Sequence, residues 1–144
     1  MSIDDKLTEL QETLDMFEDP ASRADLLIGF ADRFREVPPE VATRPFSKSH
    51  QVPQCESDAY VWAMLRPDRT LALHFAVENP SGISAKALAA ILDQVCSGQP
   101  VEEVLTIDPG IVEQVFRQNI SMGKGMGLKS MVLAVQALAR EALK

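Results

Sequence analysis

Apolar residues near the start of the chain recur at intervals of three and four, which is the spacing of one face of an α-helix. This first stripe consists of Ile3, Leu7, Leu10, Leu14 and Phe17. Ser2 stands directly before it, where a serine side chain can cap the free amides of a helix. The pattern therefore predicts a helix that begins after Ser2.

A second helical stripe follows another capping signal. Asp19 is a favourable N-cap, and Pro20 suits the first helical position because an amide there would have no partner. The buried face is predicted to consist of Leu26, Leu27, Phe30 and Phe34. Pro38 and Pro39 end the helix, and the two predicted helices are expected to pack as a hairpin.

The centre of the chain predicts a long loop followed by a β-hairpin. Residues 37–53 contain four prolines and few apolar side chains, so neither a helix nor a central strand fits them. Residues 60–65 and 70–77 are rich in β-branched, aromatic and aliphatic side chains, and turn residues 66–69 separate them. Long loops inside compact domains are disproportionately functional, so the far end of this loop is a candidate site.

Further helical segments are predicted for the second half of the chain. The first is capped by Ser84 and ends at Gly98, and a short helical turn covers residues 101–105. Asp108, followed by a proline, starts another helix that runs to about Gln118.

The last predicted helix runs from Leu128 to about Leu143, and the glycine-rich stretch 123–127 before it is expected to be flexible. Helices thus flank the hairpin on both sides, and the strands are too few for a repeating βαβ pattern. We predict an α+β fold with one domain spanning residues 1–144.

The negative net charge of the chain argues against some classes of binding partner. Its net charge is −7, with an isoelectric point near 4.8, whereas proteins that bind nucleic acids or anionic membranes present an excess of Lys and Arg. The N-terminal residues lack the basic and apolar regions of a secretory signal. No apolar run approaches the roughly 20 residues that span a bilayer. We expect a cytoplasmic protein with no nucleic-acid or membrane partner.

Two cysteines are the candidate nucleophiles, and no Cys or His spacing suggests a disulfide framework, a metal site or a bound cofactor. Cys96 lies among apolar residues near the end of a predicted helix and is expected to be a buried hydrophobic side chain. Cys55 lies in the loop sequence HQVPQCESDAYVW, where a thiol can reach another protein. Glu56 and Asp58 disfavour its thiolate, so a nearby cation would be needed.

Other features of the sequence suggest groups that assist Cys55. His50 is a candidate base in a Cys/His pair, although no third residue that would orient its imidazole is identifiable. Residues 123–130, GKGMGLKS, match a phosphate loop only superficially, because Leu128 separates the last glycine from the lysine. Lys124 and the amides at the start of the last helix instead form a positive end, which would supply the cation if the fold brings it to Cys55.

Taken together, these segments resemble the SufE-type sulfur acceptors over nearly the whole chain. The resemblance rests on RFREVPPEVATRP, on the cysteine segment VPQCESDAYVW, on the hairpin and on the closing GLKSMVLAVQALA. It implies a small curled antiparallel sheet of about three strands packed with helices, as in the iron–sulfur scaffold proteins of the same pathway. Two differences are that ESDAY lengthens the interval between Cys55 and Trp62, and that Lys124 replaces an arginine common in the family. Lysine keeps the charge but loses the planar fork of arginine.

The resemblance implies that Cys55 accepts persulfide sulfur from a cysteine desulfurase, stimulates that enzyme and passes the sulfur on for iron–sulfur cluster assembly. The partners would be the desulfurase and a downstream scaffold protein, and the chain would be an accessory carrier rather than an independent enzyme. No cofactor is implied beyond a transient persulfide, and Lys124 would favour the thiolate. Val52, Trp62 and Met64 are expected to shelter the sulfur at rest.

Two alternatives remain open at this point. The first is a thiol hydrolase or transferase that uses Cys55 and His50 on a small molecule, which predicts turnover without a second protein. The sequence lacks the orienting residue and the oxyanion glycines beside Cys55 that such an enzyme usually needs. The second is an interaction module in which the cysteine is incidental.

Overall fold

Six helices and a two-stranded sheet form the fold in the computed structural model, which describes residues 1–144. In chain order the elements are α1 (Ile3–Asp15), α2 (Pro20–Asp32), β1 (Ala59–Leu65), β2 (Leu71–Val77), α3 (Ile83–Cys96), α4 (Val101–Val104), α5 (Ile111–Phe116) and α6 (Met122–Ala142). The predicted α+β class is confirmed. No helix combines the length and the apolar character needed to cross a membrane.

The first two helices begin at the predicted caps. The Ser2 hydroxyl accepts a hydrogen bond from the Asp5 amide at 3.1 Å, and the Asp5 carboxylate accepts one from the Ser2 amide, which completes a capping box. The Asp19 carboxylate accepts from the Ser22 amide at 3.0 Å. The predicted hairpin between these helices is wrong, because α2 packs chiefly against α3.

The predicted β-hairpin is confirmed. β1 and β2 pair antiparallel, with Ala59 opposite Val77 and Leu65 opposite Leu71. The expected third strand is absent, and only isolated bridges extend the sheet, such as the one between Glu36 and Phe75. The flanking prolines of the long loop explain this difference, because a proline has no amide hydrogen to continue a ladder.

The two faces of the hairpin are covered by different parts of the chain. Alternate residues such as Val61 and Phe75 enter the main core of 32 buried residues, to which α3 and α6 contribute most of their apolar faces. Trp62 and Ala76 point to the other face and pack with Val37 in a smaller cluster. The long loop therefore forms the second cover of the sheet.

The starts of the later helices differ from the prediction. α3 has Gly82 as its N-cap with no side-chain hydrogen bond, and Ser84 lies inside the first turn rather than capping it. α5 begins at Ile111, after an Asp108 carboxylate that accepts a hydrogen bond from the Gly110 amide at 2.8 Å. The predicted short turn at residues 101–105 is confirmed as α4.

The glycine-rich stretch 123–127 is helical, so the prediction of a flexible segment there is wrong. α6 starts at Met122, where the Ser121 hydroxyl accepts a hydrogen bond from the Lys124 amide at 3.2 Å. Gly125 and Gly127 are buried. Tertiary packing overrides the low helix propensity of glycine, which costs about 1 kcal/mol per residue relative to alanine.

Candidate functional site

Cys55 lies in a tight loop, residues 53–58, that leads directly into β1. The Val52 amide donates to the Ala59 carbonyl oxygen at 2.8 Å and closes the base of this loop. Gln54 and Asp58 adopt positive φ angles of 61° and 50°, so the backbone turns sharply on both sides of the cysteine. Of the five residues ESDAY, the last two already belong to β1.

The Cys55 side chain is half-buried at the edge of the main core. A small cavity of about 10 Å³ lies beside it, which is room for roughly one water-sized particle. The residues around this cavity come from the cysteine loop, from the first turn of α3 and from the first two turns of α6: Gln54, Cys55, Glu56, Ser57, Ser84, Ala85, Gly123, Lys124, Gly127 and Leu128. A much larger cavity, about 480 Å³, is lined by β2, α3 and the segment that follows α2, and neither cysteine lines it.

The starts of α3 and α6 both border the Cys55 cavity. Helix N-termini carry a partial positive charge because their first amides have no intrahelical acceptors, and they stabilise nearby anions. Lys124 lines the same cavity and forms no ion pair with an acidic side chain. The fold thus brings together the cysteine and the basic residue that the sequence analysis considered jointly.

His50 is not brought to Cys55. Its Nδ1 lies 2.9 Å from the Val61 carbonyl oxygen, and since a carbonyl can only accept, this nitrogen carries the proton and donates. The ring stacks on Trp62 with 5.2 Å between centroids and 22° between planes. This pair belongs to the outer side of the sheet, so the predicted Cys/His pairing is not supported.

The predicted shelter for the sulfur is also wrong in its residues. Val52 is buried in the main core, Trp62 packs with Phe46 on the opposite face of the sheet, and Met64 is 50% exposed. None of the three predicted residues lines the Cys55 cavity. Residues 62 and 64 share one face of β1, and that face is turned away from the helical core.

Apart from Lys124, the residues of α6 that form the cavity wall were missed because the start of this helix was misplaced. Gly123, Lys124, Gly127 and Leu128 recur at helical spacing and face the cysteine loop from one side of α6. The helical spacing of these residues is recognisable only when α6 is taken to begin at Met122.

Cys96 is fully buried in α3, which confirms its prediction as a hydrophobic core residue. Burial, assisted by the nearby Asp93 carboxylate, raises the pKa of this thiol to about 12. Cys96 is therefore an uncharged thiol at neutral pH, in an environment unsuited to sulfur exchange.

Comparison with known proteins assigns most of this chain to one family. The sequence model of the SufE family, described as an Fe–S metabolism associated domain, matches residues 8–139. SufE-like protein 1, chloroplastic/mitochondrial, of Arabidopsis thaliana is 24% identical over 135 residues, which are 93% of this chain and 34% of that protein. The chain thus spans about a third of the length of this relative.

A solved structure shares the fold. The solution structure of a hypothetical protein from Thermus thermophilus superimposes with a TM-score of 0.73 at 24% identity, and the match covers 96% of both chains. The Arabidopsis relative is named for chloroplasts and mitochondria, so the cytoplasmic location expected from the sequence stays a prediction.

Proposed function

Because this chain belongs to the SufE family of Fe–S metabolism, we propose that it takes persulfide sulfur from a cysteine desulfurase onto Cys55. The sulfur then passes to a downstream acceptor, a scaffold protein on which iron–sulfur clusters assemble. The observation that carries this proposal is the position of Cys55: a half-buried thiol in a tight loop, set between the positive ends of two helices. A cysteine placed this way is partly accessible to a protein partner and lies beside groups that attract anions.

The proposed step is an exchange between a thiolate and a persulfide. The Cys55 thiolate attacks the outer sulfur of the persulfide on the desulfurase, and the sulfur–sulfur bond of that persulfide breaks. The desulfurase cysteine leaves as a thiolate, and Cys55 becomes the persulfide. A thiolate of the downstream acceptor attacks the same outer sulfur in the next exchange and restores Cys55. No external oxidant or reductant is required.

Three groups support the nucleophile in this step. The first turns of α3 and α6 contribute partial positive charge, and Lys124 contributes a full one. Lys124 acts as a point charge, because an ammonium group lacks the two parallel donors of a guanidinium. These charges oppose the neighbouring carboxylate of Glu56, which also borders the cavity.

The dimensions of the site favour a carrier over an enzyme that acts on a small molecule. Ligand pockets for small molecules usually measure about 300–1,000 Å³, whereas the cavity at Cys55 measures about 10 Å³. A single outer sulfur atom is a cargo comparable in size with this space. His50, the candidate base of the alternative, donates to the Val61 carbonyl on the other side of the sheet.

The test compares the two thiols in a desulfurase assay. Cys55→Ser is expected to abolish the stimulation of desulfurase turnover, whereas Cys96→Ala is expected to keep it, because only Cys55 can accept sulfur. Mass spectrometry after incubation with desulfurase and cysteine should find one added sulfur on the peptide that contains Cys55. Full stimulation by Cys55→Ser would remove the proposal.

A further inference from the structure

The backbone of α6 touches the backbone of the cysteine loop at Gly127. A Cβ atom built on Gly127 would lie 2.8 Å from the carbonyl oxygen of Gln54 and 3.3 Å from the Cα atom of Cys55. Carbon atoms pack best at about 3.5–4.0 Å, so no side chain fits at this point of contact. The absence of a side chain at 127 is what allows the loop to rest directly on the helix.

A second glycine touches the same loop from the side of α3. A Cβ atom on Gly82 would lie 2.9 Å from Cγ1 of Val77 and 3.0 Å from Cβ of Ser57. Gly82 is the N-cap of α3, so the starts of two helices close on the loop, one at its Gln54 side and the other at its Ser57 side.

The steric restriction at Gly127 is not shared by the other glycines of α6. A Cβ atom on Gly123 would have no neighbouring atom within 4 Å, and one on Gly125 would meet only the Cδ1 atom of Ile120, at an ordinary 3.5 Å. Glycine inside a helix is unfavourable relative to alanine. The contact with the cysteine loop supplies a physical reason for glycine at 127 in particular.

The Gln54–Cys55 side of the loop is held by fewer backbone hydrogen bonds than the Ser57–Asp58 side, so we expect it to move when this contact is crowded. α6 is anchored by Leu128, Met131 and Val132, which are buried in the main core. The Ser57–Asp58 side is tied to the end of β2, because the carbonyl oxygens of Ser57 and Asp58 accept backbone hydrogen bonds from residues 79 and 78. Around the cysteine, the only backbone bond is internal to the loop, from the Asp58 amide to the Cys55 carbonyl oxygen at 3.2 Å.

We propose that Gly127 is a positioning residue of the sulfur-transfer site, which seats the Cys55 segment in its half-buried resting position. Breaking this seat releases the thiol outward, and re-forming it shelters the sulfur again. The role of this seat in sheltering sulfur rests on the proposed function. The contact between Gly127 and the cysteine loop is a property of the isolated chain.

The test is the alkylation rate of each cysteine in Gly127→Ala, measured with iodoacetamide on the protein alone and resolved by peptide mass spectrometry. Cys55 should react about tenfold faster than in the wild type, because the added methyl group overpacks the contact with the cysteine loop and favours release of the segment. Gly125→Ala is the matched control, because it adds the same methyl group to the same helix where there is room. An unchanged Cys55 rate in Gly127→Ala would overturn the proposal.

Cys96 separates local release from general destabilisation. Its thiol is fully buried in α3 and reacts only when the core opens. The proposal requires faster alkylation at Cys55 with little change at Cys96. A parallel rise at both cysteines would mean that the substitution only loosens the whole protein, and would overturn the specific role of Gly127.

A second readout keeps this proposal distinct from the proposed function. After loading by a desulfurase, the persulfide on Cys55 should be removed by dithiothreitol faster in Gly127→Ala than in Gly125→Ala. Equal rates of removal would contradict the seat. Failure of the wild type to accept any sulfur would instead contradict the proposed function, and the alkylation result would stand by itself.

Discussion

At the scale of single residues, the basic side chain on the wall of the Cys55 cavity comes from a distant part of the sequence. Lys124 lies in the first turn of α6, on the wall of the Cys55 cavity, and is free of acidic partners. Lys129 lies further along the same helix and is paired with Glu113. The two lysines therefore differ in their relation to the thiol although they share one helix.

Lys124→Met should slow the alkylation of Cys55 at neutral pH by about two- to threefold, the effect of one exposed charge near an anion. Lys124→Arg should restore the rate, because the charge is retained, and the difference should shrink at high salt. Lys129→Met is the control on the same helix. Equal rates in Lys124→Met and Lys129→Met would show that position 124 has no particular influence on the thiol.

At the scale of elements, the long loop is fastened over the outer face of the sheet by Arg44. Its guanidinium donates to the carboxylates of Glu36, just before the loop, and of Glu78, just after β2. It also lies over the ring of Phe46, at 4.9 Å from the centroid. These contacts hold the long loop against the outer face of β1, and β1 begins where the cysteine loop ends.

The stability that the Arg44–Glu36 ion pair contributes should depend on pH. A hydrogen bond from Arg44 lowers the pKa of Glu36 below its usual value, against the opposing effect of burial. The contribution is therefore present above the pKa of an unfolded carboxyl group and is lost as the pH falls through the lower, folded value. In urea denaturation, the difference in stability between wild type and Arg44→Gln should be largest near pH 7 and should shrink as the pH falls below the ordinary carboxyl pKa of about 4.3. A difference that is constant with pH would contradict the assignment, and Arg140→Gln, which removes an exposed arginine without an ion pair, is the control.

At the scale of the whole molecule, a buried arginine joins three helices. Arg23 of α2 is 1% exposed and donates to the carbonyl oxygens of Leu14 at 2.8 Å, Val115 at 3.0 Å and Gln114 at 2.6 Å. These acceptors lie near the C-terminal ends of α1 and α5, which carry partial negative charge. Burial, and then the nearby Arg117, lower the pKa of the guanidinium, with Asp15 opposing them.

Arg23→Met should lower the free energy of unfolding by about 3 kcal/mol, because it removes a donor from the carbonyls of Val115, Gln114 and Leu14, of which Leu14 also accepts from the Phe17 amide. Urea denaturation measures this loss, and Arg140→Met, at an exposed position, should cause almost none. A loss below about 1 kcal/mol would show that water or neighbouring groups replace the guanidinium.

The features predicted correctly have local signals in the sequence, whereas the misplaced one depends on contacts between distant residues. The caps Ser2 and Asp19 marked the first two helices correctly, and the hairpin was located from its β-branched and aromatic composition and its turn. These signals act between residues close together in the chain. The start of α6 was misplaced because the local helix propensity of glycine is low, while the contacts that stabilise the helix there come from residues far away in the sequence.

By itself, the sequence determined that Cys96 is a core side chain and that Cys55 belongs to a proline-bounded loop, because apolar periodicity and backbone restriction are local properties. Only the tertiary structure decided what surrounds Cys55. It placed Lys124 and Gly127 against the loop and turned His50 to the other face of the sheet, since helix packing and strand alternation select contacts between residues distant in the chain.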